Sequence, residues 1–273
     1  SEMKMINDIY QAKNEVTKDY DTYEIQQVNP GTYSYFEMYH NVFSTWDLKE
    51  ENNMYHHTAF SSCKSFDSFL PKDEFNKYVY DNIQKYLINA VEKRCCTTER
   101  PIACLLSGGL DSSLIAAIVN EYHKKNNLPT LETYSIGIEG SEDLIYSQKM
   151  ADYLGTNHTQ ITLQENDFLD AIPDVIKDIE SYDTTTVRAS IGNWLIGKYI
   201  SNNSEAKVIF NGDGADELMG GYLYIHQSPN VIEFDKECKS LLKYIHTFDV
   251  LRSDKCISSH GLEPRTPFLD REW

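Results

Sequence analysis

One heptapeptide, Ser107-Gly108-Gly109-Leu110-Asp111-Ser112-Ser113, constrains the fold of this chain more than any other segment. The apolar residues 102–106 before it are typical of a buried parallel strand, and the apolar residues 114–119 after it are typical of a helix. A strand, a tight glycine turn and a helix in this order predict an α/β unit. Such a turn directs backbone N–H groups and the positive end of the helix toward one point, so we expect it to bind an anion.

The side chains of this loop indicate which anion it binds. The hydroxyls of Ser107, Ser112 and Ser113 add hydrogen-bond donors. The carboxylate of Asp111 would repel an anion unless a metal ion lay between them, so the loop indicates a nucleotide with magnesium. The alternative is a plain glycine-serine turn between a strand and a helix.

Two common nucleotide motifs do not fit the chain. The usual phosphate loop ends in Gly-Lys followed by Ser or Thr, whereas Gly197-Lys198 is followed by Tyr199. Gly212-Asp213-Gly214 matches the first two glycines of the dinucleotide-binding fingerprint, but Glu217 occupies the position of its third glycine. The loop at residues 107–113 therefore belongs to a different class of nucleotide site.

A second loop follows the short apolar run 208–210. It reads Asn211-Gly212-Asp213-Gly214-Ala215-Asp216-Glu217 and holds three carboxylates within five residues. Such a cluster is costly unless it is solvated, paired or bound to a cation, so a solvated acidic turn is the alternative interpretation. Because the carboxyl ends of parallel strands meet at one edge of the sheet, we expect the two loops to lie together there.

The hydrophobic pattern predicts the domain organisation. Residues 1–50 are polar and rich in tyrosine, residues 51–71 lack periodicity and are interpreted as a linker, and residues 72–273 form the main domain, which starts with a helix after Pro71. Strands and helices then alternate, and this alternation predicts a parallel sheet with helices on both faces. The predicted segments are 102–106, 112–125, 131–138, 143–154, 158–163, 166–180, 188–201 and 207–210, with a further helix over 233–246.

Composition excludes several classes of function. The chain has 25 basic and 42 acidic residues, a net charge of −17, which argues against a nucleic-acid partner because such a partner needs a basic surface. The six cysteines lack the paired spacing of a zinc site and fit reduced thiols. No apolar run is long enough to span a membrane and no signal peptide is visible, so we expect a cytoplasmic protein without a membrane partner.

Together, the loops and two further motifs resemble a known family. The loop at 107–113 resembles the pyrophosphate loop of the ATP-pyrophosphatase superfamily. With the stretches Ser181–Ser190 and Pro264–Asp270, the chain is similar to the synthetase domain of glutamine-dependent asparagine synthetases. The resemblance implies an adenine-nucleotide α-hydrolase-like fold for the main domain. It also implies that residues 1–50 are the end of a glutaminase domain, with a small mixed β structure.

The resemblance implies a reaction as well. Members of this family join aspartate to ATP as β-aspartyl-AMP, release pyrophosphate, and let ammonia drawn from glutamine displace AMP. It implies ATP and Mg²⁺ as cofactors, aspartate and ammonia or glutamine as substrates, and a homodimer as a further expectation. A β-lactam-forming relative is a neighbouring alternative, but the Thr-Thr-Val-Arg-Ala-Ser stretch at 185–190 favours asparagine.

The resemblance assigns roles to residues of this chain. Catalysis is assigned to Asp213, Thr185, Thr186 and Arg188, and magnesium binding to Asp111 and Asp216. Arg265 and Asp270 are candidates for binding the amino-acid substrate, with a structural salt bridge as the alternative. The residues expected to bind ATP are Leu106, Ser107, Gly108, Gly109, Asp111, Ser112, Ser113, Ile136, Asn211 and Gly212.

The chain also departs from the family pattern. Asp213 stands where the family usually has a glutamate, and Asn211 stands where it has a serine. Residue 1 is a serine, whereas the family's glutaminase starts with a catalytic cysteine, so we expect a chain that is incomplete at both ends and does not hydrolyse glutamine. These departures leave a second hypothesis open, in which the protein is a catalytically silent paralogue with a structural or regulatory role.

Overall fold

A computed structural model describes residues 28–40, 45–55 and 71–272. The chain divides into two compact units, Ser1–Ala59 and Phe60–Trp273. Among the described residues, no helix is both long and apolar enough to cross a membrane.

The first unit contains a β-hairpin. Strand β1 (Thr32–Tyr39) pairs antiparallel with β2 (Thr45–Met54), and Thr32 lies opposite Met54. The described part of this unit is therefore a small β structure whose pairing is antiparallel rather than mixed. Strand β2 continues past residue 50, so residues 51–54, interpreted from the sequence as the start of the linker, are part of this strand. In residues 51–54, apolar and polar side chains do not alternate as they do in a typical strand. These residues form a strand because they pair with β1.

The second unit alternates strands and helices. Its strands are β3 (Ile102–Leu105), β4 (Glu132–Ile138), β5 (Asn157–Leu163), β6 (Val208–Phe210) and β7 (Glu263–Arg265). Its helices are α1 (Lys72–Cys95), α2 (Leu110–Lys125), α3 (Glu142–Leu154), α4 (Glu165–Asp170), α5 (Ile172–Ile179), α6 (Thr184–Asn203), α7 (Ala215–Met219), α8 (Val231–Tyr244) and α9 (Asp249–Ser258). Short 3₁₀ turns cover Leu223–Gln227, Ile245–Thr247 and Pro267–Leu269.

The five strands of this unit form one parallel sheet in the order β5-β4-β3-β6-β7. Alternate residues of the central strand β3 enter different apolar clusters. Ile102 and Cys104 pack with α1, α2 and α3 on one face, whereas Ala103 packs with α6 and α9 on the other. Both faces are therefore covered by helices, which confirms the predicted α/β class.

The connections between strands reverse direction in the middle of the sheet. The chain leaves β3 toward β4 on one side and leaves β6 toward β7 on the other, while β3 and β6 are neighbours. The loops that follow these two strands therefore diverge and leave a crevice at the carboxyl edge. Open α/β sheets bind their ligands at such a reversal point.

Two predictions about single elements are wrong. The helix predicted over 166–180 is two helices, α4 and α5, because Pro173 lies in the first turn of α5 and cannot continue the hydrogen bonding of α4. Strand β7 was not predicted, since it has three residues and contains Pro264. A proline is tolerated there because β7 is an edge strand of the sheet.

Candidate ATP site

The loop after β3 is held tightly against the rest of the domain. Gly108 has φ +82°, and a Cβ at this position would lie 2.4 Å from the backbone carbon of Tyr146 in α3. Only glycine fits there, because both the backbone angle and the close approach exclude a side chain. Within the loop, the hydroxyl oxygens of Ser107 and Ser112 lie 2.9 Å apart, and the Gly109 N–H donates to the Ser107 hydroxyl at 3.3 Å.

The first turn of α2 keeps donors available. Gly109, the residue before the helix, has no side chain that could accept a hydrogen bond. The N–H groups of the first turn are therefore not capped by this residue. The Ser113 hydroxyl is buried and has no hydrogen-bond partner among the described residues. A loop with uncapped N–H donors at a helix N-terminus fits the phosphates of a nucleotide.

The second loop touches the first through its backbone. A Cβ on Gly212 would lie 2.8 Å from the Ser112 nitrogen and 2.9 Å from the Asp111 carbonyl carbon. Gly214 has φ +87° and donates its N–H to a carboxylate oxygen of Asp249 at 3.0 Å. The two loops therefore meet at the carboxyl edge of the sheet, as their positions after parallel strands predict.

A cavity of about 260 Å³ opens between these loops. Of the residues predicted to bind ATP, magnesium or the reacting groups, it brings together Ser107, Gly109, Asp111, Ser112, Asn211, Gly212, Asp213 and Asp216. Its other lining residues are Leu105, Asn193, Gly214, Ala215, Glu217, Tyr222 and Asp249.

Five carboxylates line this cavity, and no lysine or arginine does so among the described residues. Burial raises the pKa of Asp111, and the nearby charge of Asp216 raises it further. Burial also raises the pKa of Glu217, which is 1% exposed and accepts a hydrogen bond from the Tyr222 hydroxyl at 2.6 Å. Mutual repulsion of this kind is relieved by a bound cation.

Asp213 is the most perturbed of these carboxylates. Burial, followed by the charge of Asp249, raises its pKa to about 7. Its carboxylate accepts a hydrogen bond from the Asn211 amide at 2.7 Å, and that amide also contacts the Ser253 hydroxyl. Asp213 can therefore exchange a proton close to neutral pH.

The carboxylates suit magnesium bound together with phosphate. Among the residues that the structure describes, no three His, Cys, Asp or Glu side chains are close enough to form a complete metal site. Asp111 of the phosphate loop and Asp216 of the second loop lie near enough to interact, and both line the cavity. This fits Mg²⁺, which is usually held by one or two carboxylates, water and the substrate's phosphates.

Several predicted residues lie outside the cavity wall. The side chain of Leu106 is buried in the apolar cluster on the α1, α2 and α3 face, and Gly108 and Ser113 support the phosphate loop from behind. Ile136 packs on the α6 face of the sheet. These residues shape the loop and the sheet edge without forming the surface of the cavity.

The residues at the start of α6 form a second group outside the wall. Thr185 and Arg188 are exposed, Thr186 is buried, and the Asp183 carboxylate caps the helix by accepting the Thr186 N–H at 2.8 Å. Since α6 ends just before the start of β6, its first turn lies toward the carboxyl edge of the sheet, but of the α6 residues only Asn193 lines the cavity. Arg188 has no carboxylate partner among the described residues.

Arg265 and Asp270 contact α1 instead of the cavity. The Arg265 guanidinium donates to the backbone carbonyl of Arg94 and to the Thr97 hydroxyl at 3.1 Å. Asp270 pairs with Arg94, and with Lys93 at 3.3 Å. Burial alone would raise the pKa of Asp270, but hydrogen bonds from Arg94 hold it below its ordinary value. Of the two alternatives, these contacts favour the structural salt bridge.

Outside β3 and the two loops, three residues of the wall were not predicted as site residues, namely Asn193, Tyr222 and Asp249. Asp249 begins α9, more than thirty residues after the acidic loop, and no local pattern connects them. Tyr222 follows a glycine pair, which is a weak signal of a turn that returns to the site. Asn193 lies in the middle of α6, where a polar residue is usually interpreted as solvated.

Comparisons with known proteins identify the family. A family model described as asparagine synthase matches residues 82–237 and 227–272. Asparagine synthetase [glutamine-hydrolyzing] of Rattus norvegicus and that of Homo sapiens are each 44% identical over 196 residues, 71% of this chain and 35% of theirs. The Gallus gallus protein of the same name is 45% identical over 205 residues, 75% of this chain and 36% of its own.

This chain therefore spans about 35% of the length of the relatives it matches. Among solved structures, the U34-tRNA thiolase NcsA of Methanococcus maripaludis is 16% identical with a TM-score of 0.44, covering 70% of this chain and 62% of its own. A likeness at that level does not bear on the site. The family match covers most of the main domain and includes both loops of the cavity, and on that ground the chain belongs to the asparagine synthase family.

Proposed function

We propose that the second unit of this chain uses ATP to activate aspartate and transfers the activated carboxyl group to ammonia, forming asparagine. One observation supports this most directly. Two touching loops, one with unused phosphate donors and one rich in carboxylates, enclose a cavity at the reversal point of the sheet. Membership in the asparagine synthase family indicates which ATP-dependent reaction takes place there.

The proposed reaction has two steps. An oxygen of the aspartate β-carboxylate attacks the α-phosphorus of ATP, and the bond to the β-phosphate breaks, which releases pyrophosphate. Ammonia then attacks the acyl carbon, AMP leaves, and a proton is lost from nitrogen. Magnesium would be held by Asp111 and Asp216 and would neutralise charge on the phosphates.

The chain's own residues have distinct parts in this proposal. The N–H groups at the start of α2 and the hydroxyls of Ser107 and Ser112 hold the phosphates. Asp213 can hold or release a proton in the cavity wall near neutral pH. Arg188, which has no carboxylate partner in the described part of the chain, offers a cation toward the same edge of the sheet, where it would stabilise the charge that develops on phosphate.

Further parts of the proposal concern the cellular setting. We propose a reducing, cytoplasmic location, which the free thiols of all five described cysteines support. Glutamine as the source of ammonia, the homodimer and the lack of nucleic-acid or membrane partners stay predictions.

Exchange of labelled pyrophosphate into ATP tests the proposed function. We expect exchange that depends on aspartate, and asparagine, AMP and pyrophosphate as products when ammonia is added. Asp216→Asn should abolish exchange, while Asp143→Asn, on the exposed side of α3, should leave it unchanged. Formation of ADP and phosphate would reject the adenylation mechanism. ATP binding without any exchange would favour the silent structural or regulatory subunit.

A further inference from the structure

The wall of the cavity is divided by charge. Its five carboxylates come from the two loops and from the start of α9, whereas the lining residues that β3 and α6 contribute, Leu105 and Asn193, are uncharged. Both belong to the same face of the sheet, because Leu105 packs with the apolar cluster that includes α6. One part of the cavity is therefore neutral, with an aliphatic surface and one carboxamide.

Asn193 is available to a ligand. It is half-buried and lies on the cavity surface, yet its carboxamide has no hydrogen-bond partner among the described residues. The other described asparagine of the wall, Asn211, is by contrast bonded to Asp213 and Ser253. A carboxamide carries both a donor (NH₂) and an acceptor (C=O). A half-buried carboxamide is best satisfied by a partner that places an acceptor opposite its NH₂ group and a donor opposite its oxygen.

The neighbouring surface indicates the class of ligand. Leu105, on the cavity surface, ends the strand that leads directly into the phosphate loop. An aliphatic surface next to a phosphate site suits a flat heteroaromatic base. The edge of adenine presents an N–H donor beside a ring-nitrogen acceptor, which an asparagine carboxamide can match with two hydrogen bonds.

We propose that Asn193 recognises the adenine base and determines the base selectivity of the nucleotide site. This inference rests on the proposed function, because it requires that the phosphate loop binds ATP. It also separates two parts of the nucleotide in space, since the base lies against the neutral wall while the phosphates and their metal lie against the acidic loops.

A thermodynamic cycle between protein and ligand tests this inference. Binding of ATP and of purine riboside triphosphate, which has a hydrogen in place of the 6-amino group, is measured by calorimetry with magnesium on this chain and on Asn193→Ala. We expect the chain to bind ATP about tenfold more tightly than the analogue, as the loss of one or two hydrogen bonds predicts. The variant should bind both nucleotides equally, because the partner of the amino group is gone.

The control is Asn202→Ala, which removes an exposed asparagine from the same helix and should keep the tenfold preference. A preference that persists unchanged in Asn193→Ala would overturn the inference and leave the proposed function intact. So would a higher KM for aspartate with unchanged ATP binding, because Asn193 would then contact the amino acid. If the unmodified chain binds neither nucleotide, the proposed function fails and this inference fails with it.

Discussion

At the scale of single residues, the carboxylates of the cavity oppose one another. Asp111 and Asp216 face each other, and Asp213 lies beside the buried Asp249. Such repulsion lowers the stability of the protein and is retained where the charges are needed for a ligand. Removing one charge should therefore have opposite effects on stability and on binding.

Asp111→Asn separates these effects. We expect an unchanged or slightly higher midpoint of thermal unfolding, because the repulsion between Asp111 and Asp216 is relieved. We expect ATP binding in the presence of magnesium to weaken about tenfold or more, since a charged metal ligand is lost. Calorimetry with and without magnesium checks this, and a variant that is both unstable and fully able to bind would contradict it.

Asp213 should make stability depend on pH. Its pKa is raised in the folded protein, so its ionised form is penalised; that penalty begins to fall as the pH drops through about 7 and is gone only near the ordinary pKa of an aspartate, about 4. Relative to Asp213→Asn, the protein should thus gain stability as the pH falls from about 7 toward about 4. Unfolding midpoints of both proteins across this range measure the difference. Parallel curves would show that Asp213 is not perturbed.

At the scale of elements, glycines fix how the phosphate loop packs on α3. Gly108 and Gly140 have nearly the same backbone angle, φ +82° and +79°, but a Cβ at Gly140 would meet nothing within 4 Å. They form a matched pair in which only one position has a close contact. Comparing them isolates the contact from the backbone strain.

Gly140→Ala should cost about 1–2 kcal/mol in the free energy of unfolding, the usual penalty for a left-handed residue. Gly108→Ala should cost at least about 2 kcal/mol more, because its methyl group overlaps the backbone of α3. It should also weaken ATP binding, since the loop must move. Urea unfolding and calorimetry measure both effects, and equal losses for the two variants would mean that the loop adapts freely.

Long periodic elements and the two loops were predictable because their signals are local. The alternation of strands and helices and the motifs at 107–113 and 211–217 can be identified within a few residues. Asp249 and β7 could not be predicted in the same way. Asp249 reaches the cavity only because α9 packs beside α6, and β7 is a three-residue strand formed only by pairing with β6. Contacts between residues that are distant in the sequence produce no local or periodic pattern from which they could be predicted.

At the scale of the whole molecule, acidic side chains outnumber basic ones and give a net charge of −17, so the acidic side chains repel one another. Monovalent salt should therefore stabilise the protein by screening. The cavity adds a second effect, because its carboxylates attract a divalent cation more strongly than dispersed surface charges do.

Magnesium chloride should raise the unfolding midpoint more than sodium chloride does at equal ionic strength, by about 2–4 °C for each kcal/mol of binding. The excess should vanish in a variant that combines Asp111→Asn with Asp216→Asn, while the response to sodium chloride remains. Thermal unfolding in both salts provides the measurement. An excess that survives in the variant would place the cation elsewhere.

The central position of β3 has a consequence for synthesis on the ribosome. Ile102 pairs with Val208, so roughly 100 residues must be translated before β3 gains its second neighbour. At about 5–20 residues per second, this interval lasts roughly 5–20 s. During that time a growing chain exposes an apolar strand edge of the kind that chaperones cover. The phosphate loop thus leaves the ribosome well before the acidic loop that completes its cavity, and the nascent protein stays unable to form its nucleotide site until that second loop has been translated.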